Sequence, residues 1–227
     1  VLQQVENFNN PGITANDAFK PVTRYFDRIT RPEQIIQSFP AAVQTMLDPA
    51  DCGPACIALS QDIQGQIFDY PEDFFKERIH AIRRPRPDEF QIKEAAEKIK
   101  ASKKPILISG GGVFYSDAME ELSKFAIKHN IPVTQTVMGY STMKRDHSHY
   151  AGQIGGLGGK NTNSLAKQTD LAIAVGTKLA DFTTGSWANF ENEDFKLVSI
   201  NVSRFDANKH LAQAVVGDAR ASLNELS

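Results

Sequence analysis

Lys104-Pro105-Ile106-Leu107-Ile108-Ser109-Gly110-Gly111-Gly112 is the stretch that decides the fold. From Pro105 to Ser109 it is an apolar run without polar alternation, and glycines end it. A strand with one wet face alternates with period two, whereas a strand covered on both faces does not. The same unbroken pattern returns at Leu171-Ala172-Ile173-Ala174-Val175 and at Leu197-Val198-Ser199-Ile200-Asn201-Val202. Residues 132–137 read as a further strand and Ala214-Val215-Val216 as a short last one. Helical patterns lie between them. Phe90, Ile92, Ala95, Ala96 and Ile99 recur at helical spacing, as do Met119, Leu122, Phe125, Ala126 and Ile127. A short helix is expected near 163–167. Strands alternating with helices predict a Rossmann-like α/β domain, a parallel sheet with helices on both faces.

Upstream, Arg83-Arg84-Pro85-Arg86-Pro87 is the most linker-like segment. Each proline disfavours helix at the residue before it and favours extended backbone. This places a boundary between a first domain, 1–82, and a second, 83–227. In the first, Ile35, Ile36, Phe39, Val43, Met46 and Leu47 predict a helix, with Thr30 as N-cap and Glu33 completing a capping box. Pro40 predicts a kink or an early stop. Pro54-Ala55-Cys56-Ile57-Ala58-Leu59 reads as a buried strand. One helix and one strand cannot bury both faces of a sheet. Residues 1–75 are therefore expected to be the tail of a domain whose start is missing.

The composition excludes several functions. The chain has 227 residues, 41% of them hydrophobic, enough for a real core. Lys plus Arg total 25 against 27 Asp plus Glu, a net charge of −2, so no basic excess calls for nucleic acid or an anionic membrane. No apolar run approaches the roughly 20 residues of a membrane-spanning helix. Val1-Leu2-Gln3-Gln4-Val5-Glu6 has neither the basic nor the apolar part of a signal peptide, and the missing initiator Met points to a fragment. Cys52 and Cys56 are spaced C-x3-C with no further ligand pair nearby, which predicts buried, reduced thiols and a cytoplasmic setting.

Two glycine-rich stretches are candidate ligand contacts. The amides of Gly110, Gly111 and Gly112, between a strand and a helix, have the placement of a phosphate cradle. Tyr115 stands where the dinucleotide fingerprint needs its third glycine, and a tight turn explains the triplet equally. In Gly152-Gln153-Ile154-Gly155-Gly156-Leu157-Gly158-Gly159-Lys160-Asn161, Ile154 displaces the first P-loop glycine and Asn161 the Ser/Thr that ligates magnesium. Gly156, Gly158 and Gly159 are left as contacts either to a ligand or to another subunit. His147 and His149 have no third ligand and are expected in a solvated loop.

Taken together, several segments resemble the thiamine diphosphate (ThDP) dependent enzymes of the acetolactate synthase type. Gly53-Pro54-Ala55-Cys56-Ile57-Ala58-Leu59-Ser60-Gln61-Asp62-Ile63 is similar to the segment closing the family's pyrimidine-binding domain, with Ser60 in place of a proline. Lys104 to Gly112 resembles the first strand of its middle domain. Asp181-Phe182-Thr183-Thr184-Gly185 resembles that domain's D-x-x-T-G loop, which adds Thr184 and Gly185 to the candidate contacts. Ser199-Ile200-Asn201-Val202-Ser203 and Val215-Val216-Gly217-Asp218-Ala219 resemble the segments that close it. Gln66-Ile67-Phe68-Asp69-Tyr70-Pro71, with Gly139-Tyr140-Ser141 and His147-Ser148-His149-Tyr150, is most similar to a hydrolytic branch. The resemblance to that branch implies ThDP and Mg²⁺ as cofactors, a cyclic 1,2-diketone of inositol catabolism as substrate, and a homo-oligomer.

It also implies what this chain lacks. The family's G-D-G…N-N cofactor motif is absent, because Ala219 follows Gly217-Asp218 and the Asn9-Asn10 pair lies at the wrong end. Neither Glu6 nor Glu33 has the context of the cofactor-activating glutamate. No catalytic residue and no metal ligand is expected, and the chain alone is expected to be inactive. Some relatives hold FAD near the triple glycine and the D-x-x-T-G loop. Here Phe114, Tyr115, Trp187 and Phe190 follow those glycines, and an empty or side-chain-filled groove without flavin is expected.

Overall fold

The computed structural model describes residues 9–10 and 12–227, so the expectations placed on 1–6 lie outside the described residues. The chain divides into two compact units that meet between Arg83 and Arg84.

In the first unit a 3-10 helix, Ala15–Val22, precedes strand β1, Tyr25–Ile29. A 3-10 turn, Pro32–Gln34, leads into helix α1, Ile35–Leu47, followed by strand β2, Ala55–Leu59, and one turn of helix, α2, Gln61–Gln64. β1 and β2 pair in parallel from Tyr25 opposite Ala55 to Ile29 opposite Leu59. α1 packs on both strands. β1 is not legible in the sequence, because Asp27 and Arg28 interrupt its apolar pattern. The capping expectation needs correction. The Gln34 side chain, not that of Glu33, accepts the amides of Thr30 at 2.6 Å and Arg31 at 3.0 Å. Pro40 neither stops nor ends α1 early. The helix continues through Pro40 to Leu47, with Ser38 and Ala42 on its buried face. The cysteines are free but not buried: Cys52 is exposed, with its Sγ donating to the Met46 carbonyl at 3.2 Å, and Cys56 is half-buried.

The second unit is a six-stranded sheet. It begins with helix α3, Glu89–Ala101, whose N-cap Asp88 accepts from the Phe90 amide. Strand β3, Pro105–Ser109, is followed by the short helix α4, Gly111–Tyr115, then α5, Met119–His129, and strand β4, Val133–Gln135. Strand β5, Tyr150–Gln153, precedes α6, Lys160–Gln168, and β6, Leu171–Val175. Then come α7, Asp181–Thr184; β7, Lys196–Asn201; α8, Arg204–Ala207; β8, Gln213–Val216; and α9, Ala219–Leu226. All strands are parallel, in the order β5-β4-β3-β6-β7-β8.

The unbroken apolar runs have the expected cause. Leu107, Ile173, Val175, Val198 and Ile200 point to one face and pack with Leu122, Phe125 and Leu223. Ile106, Ile108, Ala172, Ala174 and Leu197 point to the other and pack with Ile154, Ala166 and Leu179. Each fully buried Ile or Leu contributes about 1.5–3 kcal/mol. β5, by contrast, is a half-buried edge strand of Tyr, Ala, Gly and Gln, so it carries no apolar signal. At the amino edge, Asp170 fastens the α3–β3 turn. Its carboxylate accepts from the Ser102 hydroxyl and from the amides of Lys103 at 2.7 Å and Lys104 at 3.0 Å. Burial alone would raise its pKa; these hydrogen bonds override that and hold it below the ordinary carboxylate value.

Candidate functional site

Strands of a parallel sheet all present their following loops at one edge, the edge where ligands meet such folds. The eight candidate residues belong to those loops. Gly110, Gly111 and Gly112 follow β3. Gly156, Gly158 and Gly159 follow β5. Thr184 and Gly185 lie beyond β6, at the end of α7.

The triple glycine is locked against the loop after β6. The Gly110 amide donates to the Val175 carbonyl and the Gly112 amide to that of Gly176, both at 2.9 Å. A Cβ on Gly110 would lie 2.4 Å from the Gly176 oxygen, and one on Gly112 would lie 2.6 Å from the Gly176 Cα. Only glycine permits this backbone-to-backbone approach.

The second glycine loop closes on itself and on α7. Gly156 donates to the Phe182 carbonyl at 2.7 Å, Gly158 to Gly155 at 2.8 Å and Gly159 to Gln153 at 3.2 Å. Asn163, on α6, grips Gly155 from both sides: its Oδ1 accepts from the Gly155 amide and its Nδ2 donates to the Gly155 carbonyl, each at 3.0 Å. Thr184 is fully buried, with Oγ1 accepting the Trp187 amide at 3.2 Å. Gly185 caps α7 in the left-handed region, φ 59°, beside the Asn189 side chain. The structure thus joins Gly156 to the D-x-x-T-G loop and the triple glycine to Gly176.

Between these loops lies a buried polar network that the sequence reading missed. Gln135 ends β4 and is 1% exposed. Its Nε2 donates to Thr142 Oγ1 at 3.2 Å and to the Met143 carbonyl at 3.0 Å. Thr142 also meets the Ser109 hydroxyl and donates to the Gly139 carbonyl at 2.7 Å. Isolated Gln, Thr and Ser residues carry no motif, so only the fold reveals the network. It fixes a 3-10 turn, Val137–Gly139, whose Met138 side chain is exposed.

The aromatic residues depart from expectation. Phe114 and Tyr115 are 58% and 76% exposed, so they fill no groove. The inward position of α4 is taken by Val113, which is fully buried. Trp187 and Phe190 pack with Phe195 and His210 instead. The loop histidines are half-buried rather than fully solvated. His147 Nε2 meets Ser123 Oγ at 2.9 Å, and His149 Nε2 meets Asn130 Oδ1 at 3.1 Å, fastening the approach to β5 onto α5 and its end.

The residues present do not fit a metal–diphosphate group. Asp218 Oδ1 accepts the amides of Arg220 and Ala221 at the start of α9, and Oδ2 pairs with Arg84 at 3.2 Å. Among the described residues, no cluster of three or more His, Cys, Asp or Glu side chains could hold a metal ion. Nor is any of their helices long and apolar enough to cross a membrane.

The model of the thiamine pyrophosphate enzyme central domain matches residues 92–226. The chain belongs to the thiamine pyrophosphate enzyme family. Over 226 residues it is 47% identical to a 3D-(3,5/4)-trihydroxycyclohexane-1,2-dione hydrolase from Clostridium perfringens and 46% identical to one from Bacillus subtilis. All of this chain aligns, but it spans 35% and 36% of the length of these relatives. Two solved structures share the fold. A protein from Mycobacterium smegmatis described as thiamin diphosphate-dependent superposes with a TM-score of 0.73, covering 93% of this chain and 40% of that one. Benzoylformate decarboxylase from Polynucleobacter necessarius gives 0.75, covering 96% and 41%. Both are 22% identical, a likeness that shows the fold alone.

Proposed function

We propose that this chain is the central portion of a ThDP- and Mg²⁺-dependent hydrolase that cleaves a carbon–carbon bond to open a cyclic 1,2-diketone in inositol catabolism. The observation that carries the reading is a likeness of nearly half the residues, along the entire chain, to hydrolases of that name. In this reading residues 1–82 close the pyrimidine-binding domain and 83–227 form the middle domain. The catalytic groups, the ThDP and the Mg²⁺ belong to other parts of the full-length protein, a homo-oligomer of the cytoplasm. Within this chain, the Asp218 carboxylate serves α9 and Arg84 rather than a metal, which supports a scaffolding role.

The test is a turnover assay on the full-length protein with ThDP and Mg²⁺. Mass spectrometry should show the cyclic diketone converted to an acyclic acid heavier by one water. The present chain under the same conditions should leave the diketone intact. A full-length protein that joins two 2-oxo acids and leaves the ring closed would instead support a carboligase of the acetolactate synthase type.

A further inference from the structure

We infer that the carboxyl edge of the six-stranded sheet takes no dinucleotide, although the sheet has the strand order of a dinucleotide-binding fold. Numbered along the second unit, its strands run 3-2-1-4-5-6, and the order reverses between β3 and β6. In that fold the pyrophosphate enters the crevice between those two strands and rests on amides at the start of the following helix. Three features of this chain remove that site.

The crevice is closed by backbone. Gly110 and Gly112 lie against Gly176 and Thr177 so tightly that not even a methyl group fits between them. Their amides are spent on the carbonyls of Val175 and Gly176. The third glycine of the fingerprint is Tyr115, and α4 ends at that residue after little more than one turn, too short for a strong helix dipole.

The ribose partner is also missing. A dinucleotide fold places an acidic residue about 20 residues past the glycines, near the end of its second strand. Here that strand, β4, ends in Gln135, neutral and buried, its amide nitrogen held by Thr142 and Met143. Thr136 beside it accepts the Gly139 amide at 3.0 Å.

The second glycine loop offers no substitute. The amides of Gly155, Gly156, Gly158 and Gly159 all donate within the protein. Gly110, Gly112 and Gly155 therefore serve close packing between loops, where an added Cβ would meet the backbone of another loop at 2.4, 2.6 and 2.0 Å.

The test is titration of FAD, NAD⁺ and ADP into the full-length protein. No saturable binding is expected up to about 100 µM, a concentration that fills a site of micromolar Kd. Saturable quenching at micromolar flavin, or flavin released on heating the purified protein, would overturn the inference. Hydrogen exchange supplies an independent readout on the unmodified protein. The Gly112 and Gly156 amides should be protected without nucleotide and unchanged by it; fast exchange at both would remove the basis of the argument. Gly112→Ala should lower the thermal midpoint or prevent folding, and a variant with an unchanged midpoint would show that the clamp does not exist.

Discussion

The sheets of the two units are both parallel, yet they are in different physical situations. β3 and β6 are central strands with neighbours on both edges and apolar layers on both faces. Among the described residues β1 and β2 pair only with each other, and most of their residues are half-buried. Parallel strands depend on cover from both sides, and a two-stranded pair has little independent stability. Alignment to the curated relatives runs through both units, yet only the larger sheet is covered on both faces.

Hydrogen exchange should show the largest effect. Amides of β1 and β2 should lose protection well before those of β3 and β6, by orders of magnitude in rate, because local openings range from near zero up to the global unfolding free energy. Equal protection would mean that the first unit gains cover from another chain. Next in size is a matched pair of truncations. Ile173→Ala empties a fully buried position and should cost about 2–5 kcal/mol in denaturant unfolding. Ile57→Ala, at a half-buried position of β2, should cost about 1 kcal/mol, the centre of ordinary substitutions. Similar costs at both sites would erase the contrast.

A third change probes the amino edge of the larger sheet. Asp170→Ala removes the acceptor for Ser102, Lys103 and Lys104 and should destabilise by about 1–3 kcal/mol. Since the folded state holds this carboxyl below its usual pKa, the stability it lends is complete above the unfolded value of about 3.9 and disappears as pH falls through the lower folded value. Stability measured across that acid range should therefore fall less steeply in Asp170→Asn than in the unaltered chain. A more local change is at the second glycine loop. Asn163→Ala frees Gly155 on both sides and should cost about 1–2 kcal/mol, with faster exchange confined to 153–159.

Much of the larger unit was legible from sequence because its strands are buried on both faces. Burial on both faces forces apolar residues at consecutive positions, as at Ile106, Leu107 and Ile108, and that pattern needs no partner to be read. β1 and β5 were not legible, because half-buried strands accept Asp27, Arg28, Gly152 and Gln153 without penalty. The glycines were visible, but their purpose was not. Gly110 and Gly112 have one appearance in sequence whether their amides face a phosphate or a neighbouring carbonyl.

The α/β alternation, the family and the absence of its G-D-G…N-N cofactor motif could all be read before the fold was known, since all three rest on residue types in a fixed order. What the loops do at the carboxyl edge became visible only in the folded chain. Gly176 and Phe182 lie tens of residues from the glycines they hold, and Asn163 lies a helix turn beyond its loop; hydrogen-bond donors are allotted by distance in space, which no local pattern records.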